Sequence, residues 1–451
     1  MHLLRCALRL CIIIGHKSGE RKFLYTYLVE FKKDTLKNGI RMLTVPMPNL
    51  ESVTAMIGVG AGGRYEDART QGIAHFTEHM LFNGTPKRPS SFAISSEMDA
   101  LGAHFNAFTD KEITAYYVKS ESKNLPKILD VLTDMVFNSK FEDKDIEKES
   151  RVITEELRMY KDEPRSWVQN IYDQLIFGGH PLGWEILGTE ETLRSLKRDD
   201  FMAYLEEWYQ SRNLVVAVAG KIGEEEALTE VREILGGREP GEVGELPKFA
   251  SEQTEPQVLI EERKTDQTHF VLGVRAYHRS HPQREALEVL VSALGGGMSC
   301  RLFQEIREKR GLAYYVQAHW QDFSDTGSLQ IVAGVNNQKA EDAVAAVLAE
   351  LSKLRDKPIP ADELKKAKEM LRGDLVLGLE STSGACIYFL GQEVLDHKIE
   401  VPKERLAKIE AVTTEDIQKV AQELFVTAGL NLALIGPFSD SGRFRNLLAL
   451  S

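Results

Sequence analysis

GGREPGEVGELPKFASEQTEP, residues 236–256, mixes glycine, proline and glutamate and has no apolar period. Such a stretch neither buries a face nor sustains a helical or strand repeat, so it reads as a linker. What flanks it decides the fold. Before it, GIRMLTVPMP (39–48) and SVTAMIGVGAG (52–62) alternate like paired strands. Helical periods follow over 71–83, 90–101, 123–137 and 142–162. FNAFTDKEITAYYVKSE (105–121) reads as two strands about an Asp-Lys turn, 165–177 and 198–208 are helical, and NLVVAVAG (213–220) is a buried strand. After the linker the same grammar restarts. QVLIEER (257–263) and HFVLGVRAY (269–277) are strands, 284–295 and 300–310 helices, AYYVQAHW (313–320) and SLQIVAGV (328–335) strands. Helices over 338–355 and 361–380 and a late strand, LNLALIG (430–436), complete it. No residue-level repeat accompanies this recurrence. The order of elements predicts an α+β fold of two like halves, each a mainly antiparallel sheet with helices packed on it. The expected segments are a leader (1–32), a first domain (33–239), a linker (240–256) and a second domain (257–451).

At 451 residues the chain is long enough for two large cores. Its net charge is -12, with acids spread along the chain, so no nucleic acid is expected as partner, because phosphate binding needs a concentrated basic face. The four cysteines, Cys6, Cys11, Cys300 and Cys386, form no close pair and are too few for a disulfide scaffold. Reduced thiols and a cytoplasmic setting are expected. The start, MHLLRCALRLCIIIGHKSGERK, is basic, and its apolar run is broken by Arg5 and Arg9. It reads as an unstructured leader; as a transit peptide, it would place the protein in the mitochondrial matrix instead. No segment approaches membrane-spanning length, so no membrane is expected.

HFTEHMLFNGT (75–85) carries the chemistry. His75 and His79 are four apart and Glu78 lies between, so all three project from one side of a helix. Two imidazoles so placed can chelate one tetrahedral Zn2+, and the carboxylate can take the proton of a water that the ion acidifies. His-x-x-Glu-His is the inverted form of the common zinc-peptidase motif. An ordinary helix with three polar residues has the same spacing. Zinc also wants a third protein ligand, and helical phase offers one. In DIEKESRVITEELRMY (145–160), Ile146, Ile153, Leu157 and Tyr160 form an inward stripe, and Glu149 and Glu156 fall inside it. Burying two carboxylates among apolar side chains is costly without a cation. Either they serve a metal or they are solvated acids at the edge of the stripe.

With these pieces in place the sequence resembles the pitrilysin-type (inverzincin, M16) zinc metallopeptidases, a family that includes insulin-degrading enzyme and the mitochondrial processing peptidase. The likeness covers about residues 33–440 and is greatest to shorter, bacterial processing-peptidase-like members. HFTEHMLFNGT matches the family's zinc helix and ESRVITEEL (149–157) the segment with its third ligand. The resemblance implies that His75, His79 and Glu156 bind one Zn2+ per chain, that Glu78 is the general base, and that Glu149 supports the ligands from behind. GAHFNAFTDKEITAYY (102–117) resembles the edge strand on which the family holds extended substrate, which implies that Asn106, Ala107, Phe108 and Thr109 line it. GGGMSCRLFQEIREKRGLAYYV (295–316) resembles a segment whose arginine and tyrosine reach substrate, here Arg307 and Tyr314. Periodicity alone leaves Arg310 open as the arginine.

The family closes two half-shells, four α+β units in all, about a chamber. This chain supplies two units, half of a clamshell. Because it carries both the zinc motif and the Arg307/Tyr314 pair, the implied assembly is a homodimer acting on peptides or unfolded protein. The alternatives are the catalytic subunit of a heterodimeric processing peptidase, and a non-catalytic scaffold subunit of the same fold.

Overall fold

The computed structural model describes residues 30–450. Residues 1–29, with Cys6, Cys11 and nearly all of the expected leader, lie outside the described residues. The leader's last residues belong to the fold: Phe31 stacks on Phe389 with ring centroids 5.0 Å apart, and Lys32 opens the first strand.

Strands β1 (Lys32–Thr35), β2 (Arg41–Pro46), β3 (Ser52–Val59), β4 (His104–Thr109), β5 (Thr114–Glu121) and β6 (Leu214–Gly220) form a six-stranded sheet in the order β1-β2-β6-β3-β5-β4. Strands β7 (Gln257–Glu262), β8 (Gln267–Ala276), β9 (Ala313–Asp322), β10 (Gly327–Asn336) and β11 (Leu430–Gly436) form a second sheet in the order β7-β11-β8-β10-β9. Leaving β1 aside, the two orders are the same. Even the single parallel pair recurs, β2 with β6 and β7 with β11, while every other pairing is antiparallel. The mixed α+β fold of two like halves is therefore one unit used twice. Strands β6 and β11 are buried throughout, as their apolar runs, broken only by Asn431 in β11, require of a strand covered on both faces.

What covers those faces was not apparent from the order of elements. One face of each sheet carries helices of its own half. The other face carries a helix donated by the opposite half. Helix Pro164–Phe177, from the first half, sets Val168, Ile171, Tyr172 and Ile176 against Val271, Val332, Ala433 and Ile435 of the second sheet. Helix Thr382–Leu395, from the second, sets Cys386, Phe389 and Leu390 against Met56, Val215, Ala217 and Ala219 of the first. Glycines mark both contacts. Gly58 of β3 faces Val215 of β6, and Gly273 of β8 faces Asn431 of β11, the same register in each sheet. A Cβ at Gly58 would lie 2.5 Å from Leu390, and one at Gly273 2.5 Å from the Tyr172 hydroxyl. Each fully buried aromatic or leucine in these contacts contributes about 1.5–3 kcal/mol of apolar transfer.

A buried ionic cluster joins the halves. Glu112, in the turn between β4 and β5, receives Arg64 Nη1 at 2.7 Å and Arg279 Nη2 at 2.6 Å, and Ser324 bonds it from the equivalent turn between β9 and β10. Arg64 also reaches Asp325 at 2.7 Å and the Pro247 carbonyl at 2.7 Å. The linker has no regular element between Leu235 and Gln257, yet it is strapped down: besides Pro247, Phe249 packs its ring on Phe177 and donates its N–H to Asp325.

Several elements depart from expectation. Helices Glu224–Leu235, Thr382–Leu395, Pro402–Ala411 and Thr414–Leu424 stand beyond the helices that the sequence periods predict. The stretch expected as a plain helix over 300–310 is mostly a π-helix, Phe303–Lys309. No helix among the described residues is long and apolar enough to cross a membrane.

Candidate metal centre

Helix Ile73–Leu81 starts where a side chain could not fit. Gly72 takes φ +93°, and a Cβ there would meet the Leu187 carbonyl at 2.7 Å and Gly188 at 2.8 Å. The buried Glu66 carboxylate replaces a capping side chain. It accepts the N–H groups of Gly72 at 2.8 Å and Ala74 at 2.9 Å, two of the donors that a helix start leaves free. Ile73, Ala74, Phe76, Met80 and Leu81 are buried, which leaves His75, Glu78 and His79 as the partly open face.

Against that face lies helix Asp143–Asp162. Ile146, Glu149, Ile153 and Leu157 are buried, and Glu156 is partly exposed at 26% of its side chain. Tyr160, expected in the inward stripe, is 40% exposed instead, because the helix runs past the core before its last turn. One ligand atom each of His75, His79 and Glu156 lies within 4.8 Å of the others, the only such group of three His, Cys, Asp or Glu among the described residues. The His75 and His79 rings meet edge to face, 4.6 Å between centroids. His79 Nε2 is 3.5 Å from Glu156 Oε2, whereas Glu155 points to the surface and pairs with Arg158. An ion about 2.0–2.2 Å from each ligand in a tetrahedron would hold the ligand atoms about 3.3–3.6 Å apart.

Glu149 explains how His79 is oriented. Its Oε2 is 3.3 Å from His79 Nδ1, so Nδ1–H can donate to Glu149, which leaves Nε2, on the Glu156 side, as the nitrogen that would face a metal. This is the carboxylate–imidazole pairing that metal sites use. Burial raises the Glu149 carboxyl, but the hydrogen bonds from His79 and Lys148 outweigh it and hold the group below its ordinary value. Burial and the neighbouring His79 push His75 down to about 3, so it is neutral at physiological pH. His79 is pulled the other way: burial lowers it, but its bond to Glu149 and the charges of Glu156 and Glu78 raise it on balance. Burial raises Glu78, opposed by a hydrogen bond from Thr109, and a raised carboxyl suits a proton acceptor.

The donors fit zinc. They are two imidazoles and one carboxylate, the set of many catalytic zinc sites, and His75 Nδ1 is buried with no hydrogen-bond partner.

Strand β4 lies at the edge of its sheet and pairs with β5 alone among the described residues. Phe105 and Ala107 pack against the first core and Phe108 on the opposite face, beside the donated helix. Asn106 is exposed. Thr109 does more than line the edge, for its hydroxyl donates to Glu78 Oε2 at 2.5 Å.

Arg307 and Tyr314 stand in the second half, on irregular backbone. Arg307 is exposed on the π-helix, over the Phe303 ring at 4.8 Å. Tyr314, 56% exposed, is a bulge on edge strand β9: Gly334 faces Tyr315 and Val335 faces Ala313, with Tyr314 left over between them. Such irregularities often aim side chains at functional sites. Among the described residues no hydrogen bond or ion pair joins either residue to the His75–His79–Glu156 group.

Residues 41–190 match the family described as Insulinase (Peptidase family M16), and residues 195–371 match the Peptidase M16 inactive domain. The zinc protease YmxG of Bacillus subtilis, named as uncharacterized, is 36% identical over 409 residues, 90% of this chain and 98% of the relative. The chain belongs to peptidase family M16. A second M16 relative, named as an uncharacterized zinc protease of Streptomyces coelicolor, is 36% identical over 91% of this chain and 90% of its own. In fold, the M16 chain is similar to a protease from Helicobacter pylori, with a TM-score of 0.86 at 23% identity, covering 91% of this chain and all of that one (100%). These names support a zinc metallopeptidase at the level of the family.

Proposed function

We propose that the protein is a zinc-dependent endopeptidase that cleaves short or unfolded peptides inside an enclosed chamber. One observation carries this reading: His75, His79 and Glu156 converge on one point, while Glu78, on the same helix, stays outside the ligand set. His75, His79 and Glu156 would hold the ion and Glu149 keeps His79 in the binding tautomer. A bound Zn2+ supplies Lewis acidity, which polarises a carbonyl and acidifies a water. Glu78 takes the proton from the attacking water and later delivers one to the leaving amine. The free edge of β4, from Asn106 to Thr109, pairs with an extended peptide backbone, which grips peptides of any sequence. Arg307 and Tyr314 stabilise charge on the cleaved carbonyl.

Two copies of the chain would close as a clamshell, each setting Arg307 and Tyr314 against the zinc of the other. The presence of both sets of residues in one chain supports this. Cys300 and Cys386 are free and buried, which suits the reducing cytoplasm.

Metal analysis and hydrolysis of quenched peptides test the reading. Wild type and Glu78→Gln should each carry one zinc per chain, and the variant should lose about 10^2–10^4-fold in turnover. Equal turnover by both would sink the proposal. A mixture of Glu78→Gln and Tyr314→Phe chains should recover activity that neither has alone; mixed dimers as inactive as the parents would rule out catalysis across two copies.

A further inference from the structure

We infer that the Thr109 side chain is the positioning group for the Glu78 carboxylate, tying the base to the edge strand whose backbone would hold the substrate. This rests on the peptidase reading above. The contact is the hydroxyl of Thr109 on Glu78 Oε2 at 2.5 Å, and it is the one hydrogen bond to that carboxylate among the described residues. An ionised carboxylate only accepts, so the hydroxyl is the donor, and the length is that of a charge-assisted bond. It occupies Oε2 and leaves Oε1 free to take a proton.

Both ends of the contact are anchored. Thr109 is the last residue of β4, in register with Thr114. The next residue, Asp110, donates its N–H to the Ile113 carbonyl at 2.8 Å and accepts from Gly63 N–H at 3.1 Å. Two residues further on, Glu112 is clamped between Arg64 and Arg279. The β-branched threonine has a stiff χ1, so its hydroxyl keeps one direction. Glu78 rides on a helix held at its start by Glu66. A glutamate side chain gives up considerable rotamer freedom when ordered, and a bond from a second, rigid element removes that freedom before substrate arrives. Strand alternation places Thr109 on the face of Phe105 and Ala107, towards the first core, and away from that of Asn106 and Phe108. The strand that would hold the peptide backbone therefore also aims the base.

Thr109→Val keeps the shape and removes the hydroxyl, and Thr109→Ser keeps the hydroxyl. With zinc content at wild-type level in both, Thr109→Val should lower kcat by about 10-fold or more with KM within about 2-fold, and Thr109→Ser should recover most of the loss. Crystal structures of the zinc-loaded proteins should show Glu78 turned to another rotamer in Thr109→Val and unmoved in Thr109→Ser. A Thr109→Val protein with wild-type kcat, or with raised KM and unchanged kcat, overturns the inference, as does a Glu78 rotamer indifferent to the hydroxyl. Failure of the peptidase reading looks different: wild type itself would then show no hydrolysis that depends on Glu78, while the rotamer comparison would still decide whether Thr109 holds the carboxylate.

Discussion

Two helix pairs occupy equivalent places in the two halves. In the first, Ile73–Leu81 follows β3 and faces Asp143–Asp162. In the second, Arg284–Gly295 follows β8 and faces Ala361–Gly378. The first pair meets through imidazoles and carboxylates, His79 with Glu149 and Glu156. The second pair has no histidine or cysteine on either helix. Its helices touch directly: Ser292 Oγ donates to the Ala367 carbonyl at 3.2 Å, and just past the first helix a Cβ on Gly297 would lie 2.8 Å from the end of Met370. Glu363, an acid of the second helix, is spent on Arg301 at 2.6 Å. The scaffold is thus duplicated and the chemistry is not. Where small residues let the helices close on each other, no group of three metal-ligating side chains lies between them among the described residues. Where donors replace them, the gap is stable only if something satisfies those donors.

Three substitutions probe this contrast. The largest effect is expected where the halves are bolted together. Glu112→Ala leaves Arg64 and Arg279 buried without their shared partner, and stability should fall by about 3–5 kcal/mol, read from urea midpoints. If unfolding instead stays at the wild-type midpoint, the halves are held by their exchanged helices alone. Next is the first helix pair. Glu149→Gln removes the carboxylate that sets the His79 tautomer, and zinc affinity should weaken about 10–100-fold in a chelator competition. An unchanged affinity would mean that the helix spacing alone organises His79. The smallest effect belongs to the second pair. Ser292→Ala should cost about 0.5–1.5 kcal/mol and leave zinc content untouched. A loss of zinc from this variant would erase the distinction between the halves.

Much of the site can be read along the chain, because helical spacing is a local property. His75, Glu78 and His79 share a face whatever the rest of the fold does. The same phase argument picks Glu149 and Glu156 over Glu155, and the structure sets both near His79 while Glu155 turns to solvent. Tyr160 shares that phase yet is exposed, since a period does not say where the core ends. Arg307 and Tyr314 had no periodic signal, as both sit where the backbone leaves its regular repeat. The Thr109 contact is invisible for another reason: a threonine on an edge strand looks the same whether it faces a peptide or a carboxylate thirty-one positions away. Helix Thr382–Leu395 is apolar over most of its length, TSGACIYFLGQEVL, and blurs the amphipathic period that reveals its neighbours.

Which donors exist, how they are spaced and that one α+β grammar recurs are settled by the order of residues, since each depends on neighbours a few positions apart. Tertiary structure alone decided that two helices about seventy positions apart would meet at one point, that each half would lend a helix to the other's sheet, and that Thr109 would hold Glu78. An apolar stripe must be buried, but it fits any complementary apolar surface. The choice among such surfaces comes from the collective packing of both halves, to which no local stretch has access.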